Sequence, residues 1–529
     1  MDKNRIRHHL SRQTITEAAI ITSVIALLSK VVGYVRDMLT AKYFGTSMQM
    51  DAFEVALIIP NMILGLFAAG LQTIIVRMYS EKKEESREKG KVFVNQLFFI
   101  YSVFLFIITI LIIIFSKASV KIVAAGFTSE RLNYASTFVK MLAIFGYLNV
   151  MTGFFTGVFQ AEKQFFYPAL VGLIANIAVP ICLIVLTPHI GIYSRVIGQD
   201  VFGIIFFLML FIFLFSRWGF FKKFDIKHID WASIREFTSL VMPAIVVSSL
   251  SVLYQIIDKT IGSYLPYGAI ASLSYAQTVY LIPYSLIGAP ITTAVYPTLS
   301  EHVVSNNSED FLRLFKKSFY LLVFIMVPIT VYFTVWARPI VRVLFERGAF
   351  STASTLLTQK NVLMYSLGLL GITLSDLFRR AFFSFKDTKT PMLISWVSVL
   401  LNLVLDIVLA KLLASPGIAL ATTIVTYVSL IQYFLYSRSK HYFTAGYLGN
   451  ILRETLKAIV PGIIIAVLAY FSLRIIPVQA HAIKIFLISI GIGAILFIIY
   501  VAIGKLLKGE IFDVALSYVE NFKQKVFRR

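Results

Sequence analysis

Residues 93–115 read FVNQLFFIYSVFLFIITILIIIF, a run of 23 residues without a charged side chain. About 20 apolar residues in an α-helix cross the hydrocarbon core of a membrane, which is roughly 30 Å thick. A backbone surrounded by lipid has to satisfy its own hydrogen bonds, so a run of this kind must be helical. Similar runs recur from one end of the chain to the other, and together they predict an all-α polytopic membrane protein.

The composition argues against a soluble protein. Of the 529 residues, 58% are hydrophobic and only 14% are charged, whereas soluble domains carry about 25% charged residues. The net charge of +22 would suggest a nucleic-acid partner if the protein were soluble. In a membrane protein, Lys and Arg instead collect in cytoplasmic loops, so we expect no nucleic-acid partner.

The apolar runs predict 14 transmembrane spans, numbered here in chain order. They lie at about residues 15–35, 52–76, 93–115, 134–158, 166–187, 196–215, 238–262, 270–298, 318–337, 358–378, 391–411, 416–437, 455–474 and 482–504.

The distribution of positive charge predicts the orientation. With the N-terminus inside and the spans alternating, 33 of the 49 Lys and Arg residues fall in inside segments and 13 in outside segments or at the outer ends of spans. Cytoplasmic loops are the ones enriched in these residues. The bias therefore favours an even number of spans in the cell membrane, with both termini cytoplasmic.

An internal repeat appears when the chain is compared with itself at an offset of 223 residues. The motif Phe-x-x-x-Lys-x-x-x-x-Pro starts at both Phe159 and Phe382, and Pro60 falls on Pro283. The offset covers six spans, so the two halves should have parallel topology, with substrate sites between them. We predict an N-lobe at 1–217, a C-lobe at 218–440, and an appended pair of spans with a basic tail at 441–529.

No motif for catalysis, nucleotide hydrolysis or metal binding appears. Cys182 is the only cysteine, and the seven histidines are scattered. There is no His-Glu-x-x-His sequence and no Walker-type glycine loop. We therefore predict a protein that is not an enzyme and has neither a cofactor nor a metal site.

Charged residues in or near spans are costly to insert and usually face a cavity or a partner. Arg36 and Lys259 correspond in the repeat, so they could face each other across a central cavity, where two cations would attract a phosphate or pyrophosphate. The alternative is that these charges lie near the interface and pair locally. The candidate substrate-binding residues are Lys30, Arg36, Asp37, Asp51, Glu54, Asp258 and Lys259.

Pro60 and Pro283 lie inside spans 2 and 8. Proline removes a backbone hydrogen bond and bends a helix. Both prolines are candidate hinges for alternating access, and a static packing kink is the alternative.

Many short motifs, taken in order along the chain, resemble the MurJ/MviN family of lipid II flippases, which belongs to the multidrug/oligosaccharidyl-lipid/polysaccharide exporter superfamily. Each motif is weak alone, but as a set they are specific and cover nearly the whole chain. They are Ser29–Asp37, Phe44–Gly45, Asp51–Phe53, Pro60–Asn61, Ala125–Phe127, Asp258–Lys259, Ser274–Ala276, Pro297–Ser300, Phe345–Phe350, Tyr365–Gly368, Arg380–Phe382, Asp387–Pro391 and Gly417–Thr422.

The resemblance implies two six-helix lobes around a cationic cavity, with spans 13 and 14 forming a groove for a polyprenyl tail. Arg36 matches the essential arginine of span 1 in the family, and Asp51 matches the aspartate of span 2. The chain departs from the family pattern at Leu64 and Thr278, where arginines are usual, and at Ala69, where an acid is usual. Two cavity cations and one acid of the family pattern are therefore missing from this chain.

The resemblance implies a flippase that carries an undecaprenyl-pyrophosphate-linked peptidoglycan precursor, lipid II, from the inner to the outer leaflet. Its partners would be this lipid-linked oligosaccharide and the membrane lipids, and a monovalent cation or the membrane potential would drive it. The alternatives are a flippase for another lipid-linked surface polysaccharide unit, a cation-coupled multidrug exporter, and an envelope scaffold that transports nothing.

Overall fold

A computed structural model describes residues 15–221, 229–475 and 482–517. Within these ranges, the side chains at 15–21, 69, 243–251, 475 and 482–483 are not described. The basic tail at Lys523, Lys525, Arg528 and Arg529 lies outside the described residues. Throughout the described ranges the secondary structure is helical, without a strand, so the predicted all-α class is confirmed.

The α-helices are numbered in chain order. They are α1 (Ile15–Phe44), α2 (Met48–Glu85), α3 (Arg87–Ile114), α4 (Ser116–Val123), α5 (Ser129–Ala161), α6 (Phe166–Ile190), α7 (Tyr193–Trp218), α8 (Trp231–Ser263), α9 (Ala269–Pro283), α10 (Ala289–Val304), α11 (Ser308–Val335), α12 (Ala337–Phe345), α13 (Thr352–Ser366), α14 (Leu369–Ser384), α15 (Lys389–Leu413), α16 (Ser415–Ser439), α17 (Ala445–Ser472) and α18 (Ala482–Leu506).

Among the described residues, 11 helices are long and apolar enough to cross a membrane. Helices α13 and α14 meet at a 41° bend and would together make a twelfth span. The first and seventh predicted spans coincide with α1 and α8, each of which contains residues whose side chains are not described. A multi-pass membrane protein is therefore confirmed, while the count of 14 spans stays a prediction.

Polar residues beside the apolar runs set where helices begin and end. Ser47 accepts a hydrogen bond from the Met50 amide and caps the start of α2. Ser86 ends α2 and caps α3, where its side chain accepts from the Glu88 amide. Such caps satisfy amide groups that the first turn of a helix leaves unpaired. Because these caps lie directly between helices, one long helix follows another after a short loop.

The 223-residue repeat is visible in the backbone. Helix α5 and the pair α13–α14 begin and end 223 residues apart, and so do α6 and α15. Equivalent residues also share the left-handed conformation that few non-glycine residues adopt. The pairs are Lys163 and Lys386 (φ 58° and 58°), Gly191 and Ala414 (55° and 57°), and Gly45 and Gly268 (53° and 87°). The repeat predicted from the sequence is therefore a repeat of structure.

The chain packs into two compact units, Met1–Tyr267 and Gly268–Arg529. Helix α8 belongs to the first unit by packing, although the repeat places its sequence at the start of the second half. The predicted lobe boundary at 217/218 describes the repeat and stays a prediction.

In the first unit, small residues on α5 let it approach α2 closely. A Cβ atom added to Gly146 would lie 2.7 Å from the Pro60 side chain and 2.9 Å from that of Leu64. A Cβ atom added to Gly157 would lie 2.7 Å from the carbonyl oxygen of Gln72. Because lipid is as apolar as a side chain, helix association in membranes depends on such close contacts.

In the second unit, the equivalent of α2 is interrupted. Pro283 ends α9 and is followed by a π-helical turn, Tyr284–Gly288, before α10 begins. An aromatic cluster packs α11 and α14 together: the Phe315 ring lies 5.0 Å from that of Phe378 and 4.7 Å from that of Phe443, measured between centroids.

The turn between α14 and α15 is held by a charged contact. The Asp387 carboxylate accepts hydrogen bonds from Lys440 Nζ at 2.7 Å and from the Thr390 amide and hydroxyl at 3.0 and 2.8 Å. Burial opposes ionisation of Asp387, but the bonds from Lys440 and Thr390 outweigh it and hold the pKa of the Asp387 carboxyl below its usual range. This contact joins the turn to the end of α16.

We expect Asp387→Asn to lower the free energy of unfolding by about 1–2 kcal/mol, because a neutral amide cannot replace the charge-assisted bonds. Since the folded-state pKa lies below the unfolded value, the stabilisation is present above the unfolded pKa and is lost as pH falls through the folded pKa. Unfolding in detergent at several pH values measures both effects. Glu309→Gln, at a side chain 84% exposed, is the control, and equal unfolding of Asp387→Asn and wild type would contradict the prediction.

Candidate functional site

Arg36 on α1 is paired with its neighbour. Its Nε atom lies 2.8 Å from Asp37 Oδ1, and the two side chains are 26% and 17% exposed. The Arg36 backbone carbonyl also accepts a bond from the Thr40 hydroxyl. The local pairing that the sequence left as an alternative is therefore present in this conformation.

Lys259 on α8 is paired with an acid from another helix. Its Nζ atom lies 3.3 Å from Oε2 of Glu54 on α2, and the two side chains are 10% and 18% exposed. This ion pair links residues 205 positions apart in sequence. The sequence analysis selected both residues but did not pair them.

Glu54 brings the two cations into one group. It also interacts electrostatically with Arg36. Arg36, Asp37, Glu54 and Lys259 are therefore called the charge cluster below. All four belong to the first unit, and their formal charges balance. A ligand anion would have to compete with Asp37 and Glu54 for the two cations.

The other three predicted site residues differ in how deeply they are buried. Asp51 is fully buried in the first turn of α2, where the helix dipole favours a negative charge. Asp258 precedes Lys259 on α8 and is partly buried, whereas Lys30 lies on an exposed part of α1. None of these placements by itself tests a role in binding.

The positions that depart from the family pattern differ in their surroundings. Leu64 is fully buried and packs beside Gly146 of α5. Thr278 on α9 donates its hydroxyl to the Ser274 carbonyl. The side chain of Ala69 lies outside the described residues. Leu64 has thus become part of the packing between α2 and α5.

The two candidate hinge prolines behave differently. Helix α2 continues without interruption through Pro60, which is packed against Gly146. Pro283 precedes the π-helical turn, a feature often found at functional sites. Their role as hinges stays a prediction.

Sequence reasoning missed several buried charges. Arg195 on α7 is 4% exposed, bonds Gln199 at 2.8 Å and lies 4.6 Å from the centre of the Phe53 ring. The Arg195–Gln199 spacing of four could have indicated an inward-facing pair. Asp376 and Asp406, inside predicted spans 10 and 11, are also buried, at 4% and 0% exposed.

The second unit contains an apolar cavity of about 480 Å³ between α11, α17 and α18. The lining includes Pro328 and Tyr332 from α11, Ile465 from α17, and Gly493 and Phe497 from α18. These helices include the last two predicted spans. In the part of the chain that the structure describes, no three His, Cys, Asp or Glu side chains are grouped as metal ligands would be.

Solved structures define the class of fold. An inward-facing multidrug resistance transporter of the MATE family, in the MOP superfamily, aligns over 82% of this chain and 99% of its own with a TM-score of 0.67 and 11% identity. At that identity the match shows the fold alone, which is that of a multi-pass membrane transporter. A lipid II flippase MurJ structure in an inward closed conformation aligns over 92% of this chain and 98% of its own, with a TM-score of 0.76 and 26% identity.

The family model for the lipid II flippase MurJ matches residues 40–491, and the chain belongs to that family. A probable lipid II flippase MurJ of Rickettsia prowazekii is 26% identical over 92% of this chain and 96% of its own. The lipid II flippase MurJ of Thermosipho africanus is 26% identical over 79% of this chain and 85% of its own. The predicted family is confirmed, and the chain is a transporter rather than an enzyme.

Proposed function

We propose that this protein carries lipid II from the inner to the outer leaflet by alternating access. The observation that carries the proposal is the family match across residues 40–491. Membership implies a substrate in which a polyprenyl chain is joined to a sugar headgroup. The protein has to handle both an anionic and an apolar part of that molecule, and its two units offer a feature for each.

The charge cluster is proposed to bind the anionic part. Arg36 provides a planar guanidinium that can bond phosphate oxygens in pairs, and Lys259 provides a second positive charge. In the paired state Asp37 and Glu54 neutralise them. Pyrophosphate would displace these carboxylates, and their return would help release it. Lys30, Asp51 and Asp258 are proposed to modify the electrostatic potential at the cluster.

The apolar cavity between α11, α17 and α18 is proposed to hold part of the polyprenyl tail. Its lining offers almost no polar groups to an apolar chain: Pro328, Tyr332, Ile465 and Phe497 present rings and aliphatic carbons. The tail would gain little free energy over lipid, because both surroundings are apolar. The cavity would therefore position the tail while the headgroup moves.

The membrane potential or a gradient of a monovalent cation is proposed to drive the cycle, since the sequence has no nucleotide-binding loop. The free energy of one elementary charge changes by about 2.3 kcal/mol per 100 mV when the charge crosses the membrane. The proposed orientation has both termini in the cytoplasm, in agreement with the bias of 33 to 13 in Lys and Arg.

Complementation tests the proposal. The native chain is produced in a bacterial strain whose own lipid II flippase can be depleted, and we expect growth and cell shape to be maintained. The amount of protein in the membrane is measured in parallel. Failure to rescue growth at a normal membrane level would contradict lipid II as the substrate.

A further inference from the structure

A second group of charges lies within the second unit, on α14. Asp376 is 4% exposed, and its carboxylate contacts two arginines of the same helix. Arg379 Nη2 bonds Oδ1, and Arg380 Nε lies 3.3 Å from Oδ2. A buried carboxylate thus orients two guanidinium groups at once.

Helix α10 completes the group. The Thr292 hydroxyl donates to Asp376 Oδ2, and Arg380 Nη2 donates to the Thr293 hydroxyl at 2.9 Å. Asp376, Arg379, Arg380, Thr292 and Thr293 are called the Asp376 site below. Its residues come from two neighbouring helices of one unit, so the site is built within that unit.

The Asp376 site has an excess of positive charge. Within the described part of the chain, Asp376 is the ion-pair partner of both arginines, which leaves one positive charge unbalanced. The Arg379 and Arg380 side chains are 48% and 22% exposed. Each guanidinium has five N–H groups, and the bonds within the site use one from Arg379 and two from Arg380. Donors therefore remain for a ligand anion.

The fold does not require these charges. At the offset of 223, Asp376, Arg379 and Arg380 correspond to Gly153, Thr156 and Gly157. In the first unit these residues lie on α5, where Gly153 and Gly157 pack closely against Ala68 and Gln72 of α2. At these positions the equivalent pair of helices is thus held together by close contact and not by an ionised group.

The depth of the site suits a lipid phosphate. Arg380 is four residues from the end of α14 at Ser384, which at 1.5 Å per residue is about 6 Å. That end of the helix is the cytoplasmic end in the proposed orientation. Arg379 and Arg380 would therefore lie near the boundary between headgroups and hydrocarbon in the inner leaflet.

We propose that the Asp376 site binds the pyrophosphate of the lipid-linked substrate as it enters from the inner leaflet. Arg379 and Arg380 bond the phosphate oxygens, and Asp376 is a positioning residue that holds the two guanidinium planes in place. The inference rests on the proposed function, because it assigns an entry site for the same substrate. It adds a second cationic site, in the other unit, to the charge cluster on α1, α2 and α8.

Binding to the full-length protein in lipid nanodiscs tests the inference. The probes are undecaprenyl pyrophosphate, the uncharged undecaprenol, and inorganic pyrophosphate. We expect the double variant Arg379→Gln/Arg380→Gln to bind undecaprenyl pyrophosphate about 10- to 100-fold more weakly, as the loss of charged hydrogen bonds implies. Arg380→Lys should lose part of the affinity, because it keeps the charge without the fork of donors. Undecaprenol binding should not change.

Arg313→Gln is the matched control, since it removes one arginine from a cytoplasmic position that is 57% exposed; its affinity should stay within about twofold of wild type. Wild-type affinity in a double variant that unfolds at the wild-type temperature would overturn the inference. An equal loss of undecaprenol binding in the double variant would also overturn it. So would a finding that inorganic pyrophosphate competes for the site as strongly as undecaprenyl pyrophosphate does. If the double variant does not fold, Arg379→Gln and Arg380→Lys give the same comparison.

The two proposals can fail separately. Undecaprenyl pyrophosphate carries neither sugar nor peptide, so its binding tests the Asp376 site whichever glycan the protein transports. A chain that fails to complement flippase depletion but binds this probe through Arg379 and Arg380 would refute lipid II transport and leave the site standing.

Discussion

Replacement of Arg36 by alanine should abolish growth rescue in the flippase-depleted strain while leaving insertion in the membrane intact. Arg36 is the cation of the charge cluster that can bond two phosphate oxygens at once. Charged hydrogen bonds contribute about 1.5–3 kcal/mol each, so the loss of two should reduce substrate affinity by at least about a hundredfold. Its pairing with Asp37 spans adjacent residues, so the fold should depend on it little.

Two further variants sharpen this prediction. Arg36→Lys keeps the charge without the planar fork, and it should rescue growth weakly. Arg313→Ala, at an exposed position, should rescue growth fully. Normal growth with Arg36→Ala at a wild-type membrane level would remove Arg36 from the proposed binding site.

The fold was predictable because lipid imposes simple rules. Length and apolarity place a helix in the membrane, and each predicted span coincides with helical structure, although 270–298 and 358–378 each run over two α-helices. The helix ends were less predictable, since polar residues continue a helix into water without breaking it. Helix α2 runs from Met48 to Glu85, well beyond the predicted 52–76. Its last turns are charged, so apolarity does not reveal them, but their backbone hydrogen bonds continue the helix.

The candidate site was predictable in its residues but not in its contacts. Charges in apolar spans are rare enough to be identified from the sequence, and Arg36, Glu54 and Lys259 were identified in this way. Their pairing depends on which helices pack together. Helix α8 packs with the first unit, and nothing in the local sequence of α8 specifies that Lys259 should meet Glu54.

The Asp376 site shows where charge counting fails. Arg379 and Arg380 fall just beyond the predicted span 358–378 and therefore counted as cytoplasmic loop charges. The structure continues α14 to Ser384, so both arginines lie on the same helix as Asp376, three and four residues after it. This spacing puts the three side chains on one face, but it becomes informative only when the helix is known to extend that far.

Reversal of the charge of Lys259 should have the largest effect on stability. Lys259→Glu would place two carboxylates where an ion pair of 3.3 Å now lies between side chains 10% and 18% exposed. Loss of one partner from such a buried pair costs about 3–5 kcal/mol, so we expect a much lower unfolding temperature in detergent. Lys89→Glu is the matched control, because Lys89 and Glu85 form a pair of 3.2 Å with side chains 66% and 50% exposed. That reversal should cost at most about 1 kcal/mol.

The double variant Glu54→Lys/Lys259→Glu separates the structural role of this pair from its role in binding. It restores an ion pair between α2 and α8, and we expect most of the lost stability to return. Lipid II transport should stay impaired, because the positive charge has moved from α8 to α2 and no longer faces the phosphate from the same side. Stability of Lys259→Glu equal to wild type would contradict the ion pair. Full transport by the double variant would show that Lys259 serves only the packing of the two helices, and Arg36 would then be the one cation of the charge cluster left to bind pyrophosphate.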